Sequence, residues 1–199
     1  MKSEDRQPIA NHDSPTFGEF LRVSTVAYVI MSFVGIEICW WYHKNVWAKF
    51  GPITYDLVPL LEIIGASFLF LQICQKAMEL FSPSYLVFRS TLAKFFEGVS
   101  WRGALWLALV SAFGEEILFR GALQPILGLW LTSIGFGLVH LDPKGGISVL
   151  TAWAMLAGLL LGAMVDVTGS LWPAIFVHFL VNFVGMLGLS KVKVKSTIS

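Results

Sequence analysis

Apolar residues along this chain come in long blocks separated by short polar stretches, and the block lengths decide what each can be. Leu21 to Trp41, Leu57 to Met78, Gly103 to Ala122, Ile147 to Val167 and Leu171 to Leu189 are each about long enough to cross a ~30 Å hydrocarbon core at ~1.5 Å per helical residue. A sixth block, Ile126 to Leu141, is shorter. The pattern predicts an all-α fold, a polytopic membrane helical bundle of about six transmembrane helices. Between the second and third blocks lies PSYLVFRSTLAKFFEG. There Tyr85, Phe88, Leu92 and Phe95 recur at helical spacing, with Arg89, Lys94 and Glu97 among the polar positions, which predicts one interfacial amphipathic helix. Trp40, Trp41, Trp47, Trp101, Trp130 and Trp172 fall near predicted helix ends, as an aromatic belt requires. Gly158 and Gly162 mark a close-packing face in the fifth block.

The same pattern divides the chain. Residues 1–20 form a polar N-terminal tail, 21–102 hold the N-terminal membrane helices and the interfacial helix, 103–189 form a core, and 190–199 are a basic C-terminal tail. The first twenty residues are polar and contain Pro8 and Pro15, unlike a secretory signal, and the first apolar block lacks a small-residue cleavage site, so it is read as a membrane helix. Composition agrees: 56% of residues are hydrophobic and 14% charged, values outside the usual range of water-soluble domains. The net charge of +1 says little, but its distribution does more. Numbering the blocks from a cytoplasmic N-terminus puts Lys2, Arg6, Arg22, Lys76, Arg89, Lys94, Arg102, Lys144, Lys191, Lys193 and Lys195 on one side. Only Lys44, Lys49 and Arg120 fall on the other. That bias predicts cytoplasmic N- and C-termini. The lack of further domains suggests a prokaryotic inner membrane. The bilayer is the expected partner of the KVKVK tail, with no nucleic acid. Cys39 and Cys74 lie in apolar helices without metal-site or disulfide spacing, and their expected role is packing.

Ionisable groups inside such blocks cost at least ~2.5–3.5 kcal/mol on insertion scales, so they face the bundle interior and have a task. The stretch FGEEILFRG is the main instance. Glu116 and Arg120 are four apart with the glutamate first, the favourable order for an ion pair on one helix face. Glu115 sits one position round, without an evident local partner, as a general base would. His140 ends FGLVH, four residues after Phe136, and His178 and Asn182 share a helix face in HFLVN. A carboxylate, two imidazoles and a carboxamide suit attack of water on a carbonyl: Glu115 and His140 hold and deprotonate the water, while His178 and Asn182 donate to the oxyanion.

EEILFR, FGLVH and HFLVN, in this order, resemble the EExxxR, FxxxH and HxxxN motifs of the CPBP family, the CAAX-processing and bacteriocin-processing (Abi-type) intramembrane proteases. The resemblance covers roughly Gly103 to Leu189, so 103–189 is read as a CPBP-like catalytic core. It implies an intramembrane endopeptidase acting on a membrane-anchored or lipidated protein or peptide. Glu115, His140, His178 and Asn182 would be catalytic, and Glu116, Arg120 and Phe136 supporting. The family resemblance favours a glutamate-type hydrolase without a metal. Glu115, His140 and His178 also make a conceivable Zn²⁺ donor set, although no HExxH motif is present. The alternative is a non-catalytic membrane protein whose polar cluster binds an ion, a proton or a partner helix. With a cytoplasmic N-terminus, the third helix runs outward with EExxxR in its outer half, which predicts a site open to the extracytoplasmic side.

Overall fold

The structure is a computed structural model that describes residues 17–53, 55–96, 99–141 and 146–191. The expectations for most of both tails, and for Glu97, Lys144 and the Phe95 side chain, lie outside the described residues. Helix α1 spans Phe17–Trp41 and is followed by a 3-10 turn at Val46–Phe50. Helix α2 spans Leu57–Phe81 and α3 Pro83–Ala93; α4 covers Trp101–Glu116 and passes into a π-helical segment, Ile117–Leu123. Then come α5 (Gln124–Leu138), α6 (Val149–Thr168) and α7 (Trp172–Leu189). Five helical runs are long and apolar enough to cross a membrane: Phe17–Trp41, Leu57–Phe81, Trp101–Leu138, Val149–Thr168 and Trp172–Leu189. The chain is an integral membrane protein built as a helical bundle.

The short sixth block has a specific explanation. The helical run from Trp101 continues past Pro125 and breaks at Gly128, where φ is 79° and ψ 168°, a conformation essentially restricted to glycine. The chain then turns back. Phe119 and Phe136 would lie about 25 Å apart along one helix, yet their rings meet at 5.0 Å. Residues 129–138 are therefore a return arm of about 15 Å, half a hydrocarbon core, in place of the sixth crossing.

Contacts set the directions. Along α4 and its π-helical extension, Gly103 lies against Phe17, Gly114 against Tyr28 and Gly121 near Cys39, so α1 runs parallel to it. Arg120 and Gln124 donate to the carbonyls of Gly158 and Gly162, so α6 is parallel too, and these two glycines form the close-packed face expected of them. On α7, His178 lies beside Glu116 and Asn182 beside Ser111, so that helix runs the other way. One end of the bundle thus holds the starts of α1 and α4, the ends of α2 and α7, and α3. At the other end the 3-10 turn is tied to α7, with Lys49 O accepting from Leu171 N and Trp172 Nε1 donating to Phe50 O.

Only 11% and 17% of the spanning windows of α1 and α2 are buried, against 44% for the Trp101–Leu138 run. The two N-terminal helices therefore form the outer wall, turning Val26, Phe33, Leu69 and Ile73 outward, as lipid contact requires. Trp40, Trp41, Trp47, Trp101 and Trp130 are exposed near the two ends of the bundle. Cys39 and Cys74 are free thiols, and Cys39 is buried with its Sγ 3.5 Å from Gly121 O.

Candidate active site

Glu115 and Glu116 are the last residues of α4, just before the widened π-helical turn in which Gln124 N bonds to Phe119 O, five residues back. Such segments collect at functional sites because they re-aim side chains without ending the helix. Glu116 and Arg120 form the expected i,i+4 pair, Nη1 to Oε1 at 2.9 Å, with both side chains almost wholly buried. The guanidinium also donates to Gly158 O at 3.3 Å and lies 4.3 Å from the centroid of the Phe136 ring. Phe136 thus touches both Arg120, through its ring, and His140, through its carbonyl. Four residues on, Gln124 Nε2 donates to Gly162 O and to Asp166 Oδ1. Glu116, Arg120 and Gln124 form one polar stripe against α6.

The same Glu116 Oε1 also accepts from His178 Nδ1 at 2.8 Å. Glu116 therefore couples the arginine to an imidazole on α7, a contact that local helix geometry could not reveal. Since the ionised carboxylate accepts, Nδ1 of His178 carries the proton. His140 Nδ1 lies 2.7 Å from Phe136 O, and a carbonyl only accepts, so this Nδ1 is protonated too. Both rings turn Nε2 toward the remaining carboxylate. Glu115 Oε2 lies 3.8 Å from His140 Nε2 and 3.7 Å from His178 Nε2. It has no hydrogen-bond partner among the described residues, nor has Glu116 Oε2. The gaps are too long for direct hydrogen bonds and suit an intervening small donor.

Asn182 reaches the group from one turn further along α7. Its Nδ2 donates to Ser111 Oγ at 2.9 Å, and Ser111 Oγ donates to Ala108 O at 3.1 Å, which fixes the carboxamide. The structure therefore brings Glu115, His140, His178 and Asn182 together, with Glu116, Arg120 and Phe136 behind them.

Residues 80–184, just over half of the chain, match the family described as Type II CAAX prenyl endopeptidase Rce1-like. The chain belongs to the Rce1-like family. All three motifs lie within the matched residues. The uncharacterized protein YpbD of Bacillus subtilis (strain 168) is 35% identical over 85 residues, which cover 40% of this chain and 42% of YpbD. The match therefore spans well under half of that relative's length. No solved structure matches the chain.

Two members of the site carry no motif in this Rce1-like chain. Ser111 lies inside the matched residues, and the signal for it was a hydroxyl four positions before Glu115 on an apolar helix. Tyr28 lies outside them, on α1. Its side chain lies beside Glu115 and lines the same cavity. Gly114 makes this possible: a Cβ there would lie 2.7 Å from Tyr28 O, so α1 and α4 approach backbone to backbone. The signal was a phenol in mid-helix, with no local spacing to link it to Glu115.

A cavity of about 270 Å³ begins at Glu115, His140 and His178 and extends along α7 to Arg89 and Tyr85 of α3. Burial holds the Tyr85 hydroxyl above the ordinary phenol range, so it remains a neutral donor. The cavity leads to the end of the bundle that carries the start of α1 and the end of α7. This corrects the expected opening at the opposite end. The reason is the unbroken helix through Pro125: Glu115 lies about 21 Å from Trp101 and about 18 Å from residue 127, near the middle of the run. Among the described residues, no group of three or more His, Cys, Asp or Glu side chains is placed to hold a metal ion; Glu115 with the two imidazoles comes nearest.

Proposed function

We propose that this Rce1-like chain is an intramembrane endopeptidase that hydrolyses a peptide bond of a membrane-anchored or lipidated substrate, using water activated by Glu115 and His140. One observation carries the reading: an unpartnered carboxylate oxygen faces the Nε2 atoms of two imidazoles whose Nδ1 protons are already committed. A water there donates one hydrogen to Glu115 Oε2 and the other to His140 Nε2. The mechanism needs one further proton on the cluster, carried by Nε2 of His178, whose Nδ1–H is held by Glu116.

The reaction follows from that proton count. The water oxygen attacks the scissile carbonyl carbon while its proton passes to Glu115, and the carbonyl π electrons move to the oxygen. That oxyanion takes hydrogen bonds from Nε2–H of protonated His178, held by Glu116, and from the second N–H of Asn182. Collapse breaks the C–N bond, and the leaving nitrogen takes the proton from Glu115. The end of the bundle that carries α3 and both ordered chain ends is assigned to the cytoplasm, and the cavity then receives substrate from that side.

A Zn²⁺ reading would use the same three side chains, which are not placed to hold an ion as they stand and would have to move together to do so. The deciding experiment measures proteolysis in liposomes for wild type, Glu115→Gln and Glu116→Gln, with and without a strong chelator. Candidate substrates come from comparing membrane peptides of cells with and without the gene. Cleavage abolished by Glu115→Gln in a folded protein, and indifferent to chelator, supports the water mechanism. Chelator sensitivity reversed by Zn²⁺ replaces it with the metal reading. Unchanged peptides with all variants folded refute proteolysis and favour a binding role for the cluster.

A further inference from the structure

The wall that α6 gives to the cavity is apolar except at one atom. Leu150, Trp153, Ala157 and Leu161 line it at helical spacing, and the indole N–H of Trp153 is their only polar side-chain group. Trp153 Nε1 is enclosed and has no acceptor among the described residues. Among those residues, only Glu115 and Trp153 both line this cavity and hold an enclosed polar side-chain atom without a partner. Glu115 presents an acceptor and Trp153 a donor. Two sets of contacts fix the depth of the indole. Arg120 meets Gly158 O and Gln124 meets Gly162 O, both 38 positions on, and Trp153 stands at the same offset from Glu115. Because α4 and α6 are parallel, that offset sets the two residues within about a turn of each other in depth. From the other side, Thr151 Oγ1 donates to His140 O, two residues before Trp153. The indole thus lies at the level of the reacting groups, and nothing in the water mechanism uses it. A buried indole N–H ordinarily finds a partner, and leaving one unpaired is costly.

We propose that the Trp153 indole N–H is a substrate-binding donor that takes the peptide carbonyl next to the scissile one. This rests on the proteolytic reading and adds a positioning contact to it. Successive carbonyls of an extended peptide point to opposite sides. With the scissile carbonyl turned to His178 and Asn182 on α7, the two flanking carbonyls turn away from α7. A carbonyl that enters a membrane-embedded cavity gives up its water and needs a donor in exchange. The α6 wall has one donor to offer at that depth. The reacting carbonyl is then oriented by α7 and its neighbour by α6, and two points on the backbone fix the scissile bond against Glu115. Such a contact reads backbone, so Trp153 contributes affinity and register rather than a preference for particular side chains.

The test uses a fluorescent S-prenylated CAAX peptide in vesicles, with two analogues. Each analogue has one of the peptide bonds flanking the scissile bond replaced by a trans-alkene, which keeps the shape and removes the carbonyl. Trp153 is replaced by benzothienylalanine, a ring of the same size with sulfur in place of the N–H, and in parallel by Trp153→Phe. Binding is read in a Glu115→Gln background and cleavage with Glu115 intact. Loss of one hydrogen bond predicts a Kd for the parent peptide raised about five- to tenfold by benzothienylalanine, with KM raised alike and kcat changed less than about twofold. The alkene at the contacted bond weakens binding to the wild type by the same factor, and the replacement at 153 then adds nothing; the other alkene keeps the full effect. A thermal melt verifies folding, and benzothienylalanine keeps the test open if the smaller ring of Trp153→Phe leaves a damaging void. An effect of equal size on all three peptides overturns the proposal, and so does no effect on any. A lower kcat at unchanged Kd also overturns it, because the donor would then serve the water or the oxyanion. Binding is measured apart from cleavage, so a failed contact leaves the role of Glu115 standing. A failed proteolytic reading shows instead as binding that depends on Trp153 without any product. No saturable binding of the parent peptide overturns both.

Discussion

Glu116 holds two partners through one oxygen, and removing its charge separates what it does for stability from what it does for the site. In Glu116→Gln, Arg120 stays buried at 1% exposure with its charge no longer compensated by the neighbouring residue. Breaking a buried ion pair from one side costs about 3–5 kcal/mol, and Arg120→Met, which leaves Glu116 with His178 as its remaining partner, should cost the lower end of that range. For a chain of this length that is a fall in Tm of roughly 6–20 °C for each variant. The double variant removes both charges and leaves a methionine against Phe136 and α6, so its stability should return most of the way to wild type. The coupling between the two sites is then about 3 kcal/mol or more, far above the ~0.5 kcal/mol scatter of independent sites. Cleavage should not return with it, because His178 Nδ1 has lost its carboxylate acceptor and with it the imidazolium offered to the oxyanion. The assay is a thermal melt in detergent beside cleavage in liposomes for the four proteins of the cycle. Additive losses in Tm would refute the buried pair. Full activity in the stable double variant would show that Glu116 has no part in the chemistry.

The other consequences are more local. Tyr28→Phe removes the hydroxyl from the residue beside Glu115 and should lower kcat about tenfold with little change in KM, the loss expected for one hydrogen bond to a charged group; equal changes in both constants would argue for a substrate contact instead. Gly114→Ala puts a methyl group 2.7 Å from Tyr28 O, so α1 must move off α4; a loss of about 1–3 kcal/mol is expected, with lower activity, read by melt and cleavage together. Gly128→Ala demands a side chain at φ 79° and should cost about 1–3 kcal/mol and misplace His140, while Gly135→Ala, with nothing within 4 Å of the added Cβ, serves as the matched control. Cysteines at Ser84 and Ser190 should react with an impermeant maleimide from the same face of the membrane, and one at Trp47 from the other; labelling of all three from one face would refute the helix directions.

What was legible in the sequence depended on range. The Glu116–Arg120 pair lies within one helical turn, so spacing alone identified it. The apolar blocks likewise determined the bundle, since block length and bilayer thickness are one measurement. The reversal at Gly128 was not readable in that way: LGLW has the hydropathy of the helix around it, and nothing local distinguishes a glycine at positive φ from one inside a helix. The expected opening of the site failed with it, because counting Ile126 to Leu141 as a separate crossing put Glu115 too near one end. His178 on Glu116, Tyr28 beside Glu115 and Asn182 on Ser111 join residues 62 to 87 positions apart, and periodicity along one helix carries no record of such pairings.

The return arm also explains how water would reach a carboxylate in the middle of a membrane. A sixth helix of full length would carry its side chains past the level of Glu115 and close the bundle on that side. The arm of residues 129–138 stops halfway, and the chain leaves helical geometry where Val139 and His140 form a turn. Irregular backbone at membrane depth is tolerated only where protein or a wet cavity covers it. Here His140 O is taken by Thr151 Oγ1 and Nδ1 by Phe136 O, while the His140 side chain keeps 32% of its surface exposed beside Glu115 at 6%. The imidazole therefore stands between an accessible turn and a buried carboxylate, where the proposed water would be held. Shortening one helix leaves the His140 side chain accessible and at the same time sets it beside Glu115, and the glycine that turns the chain back makes both possible.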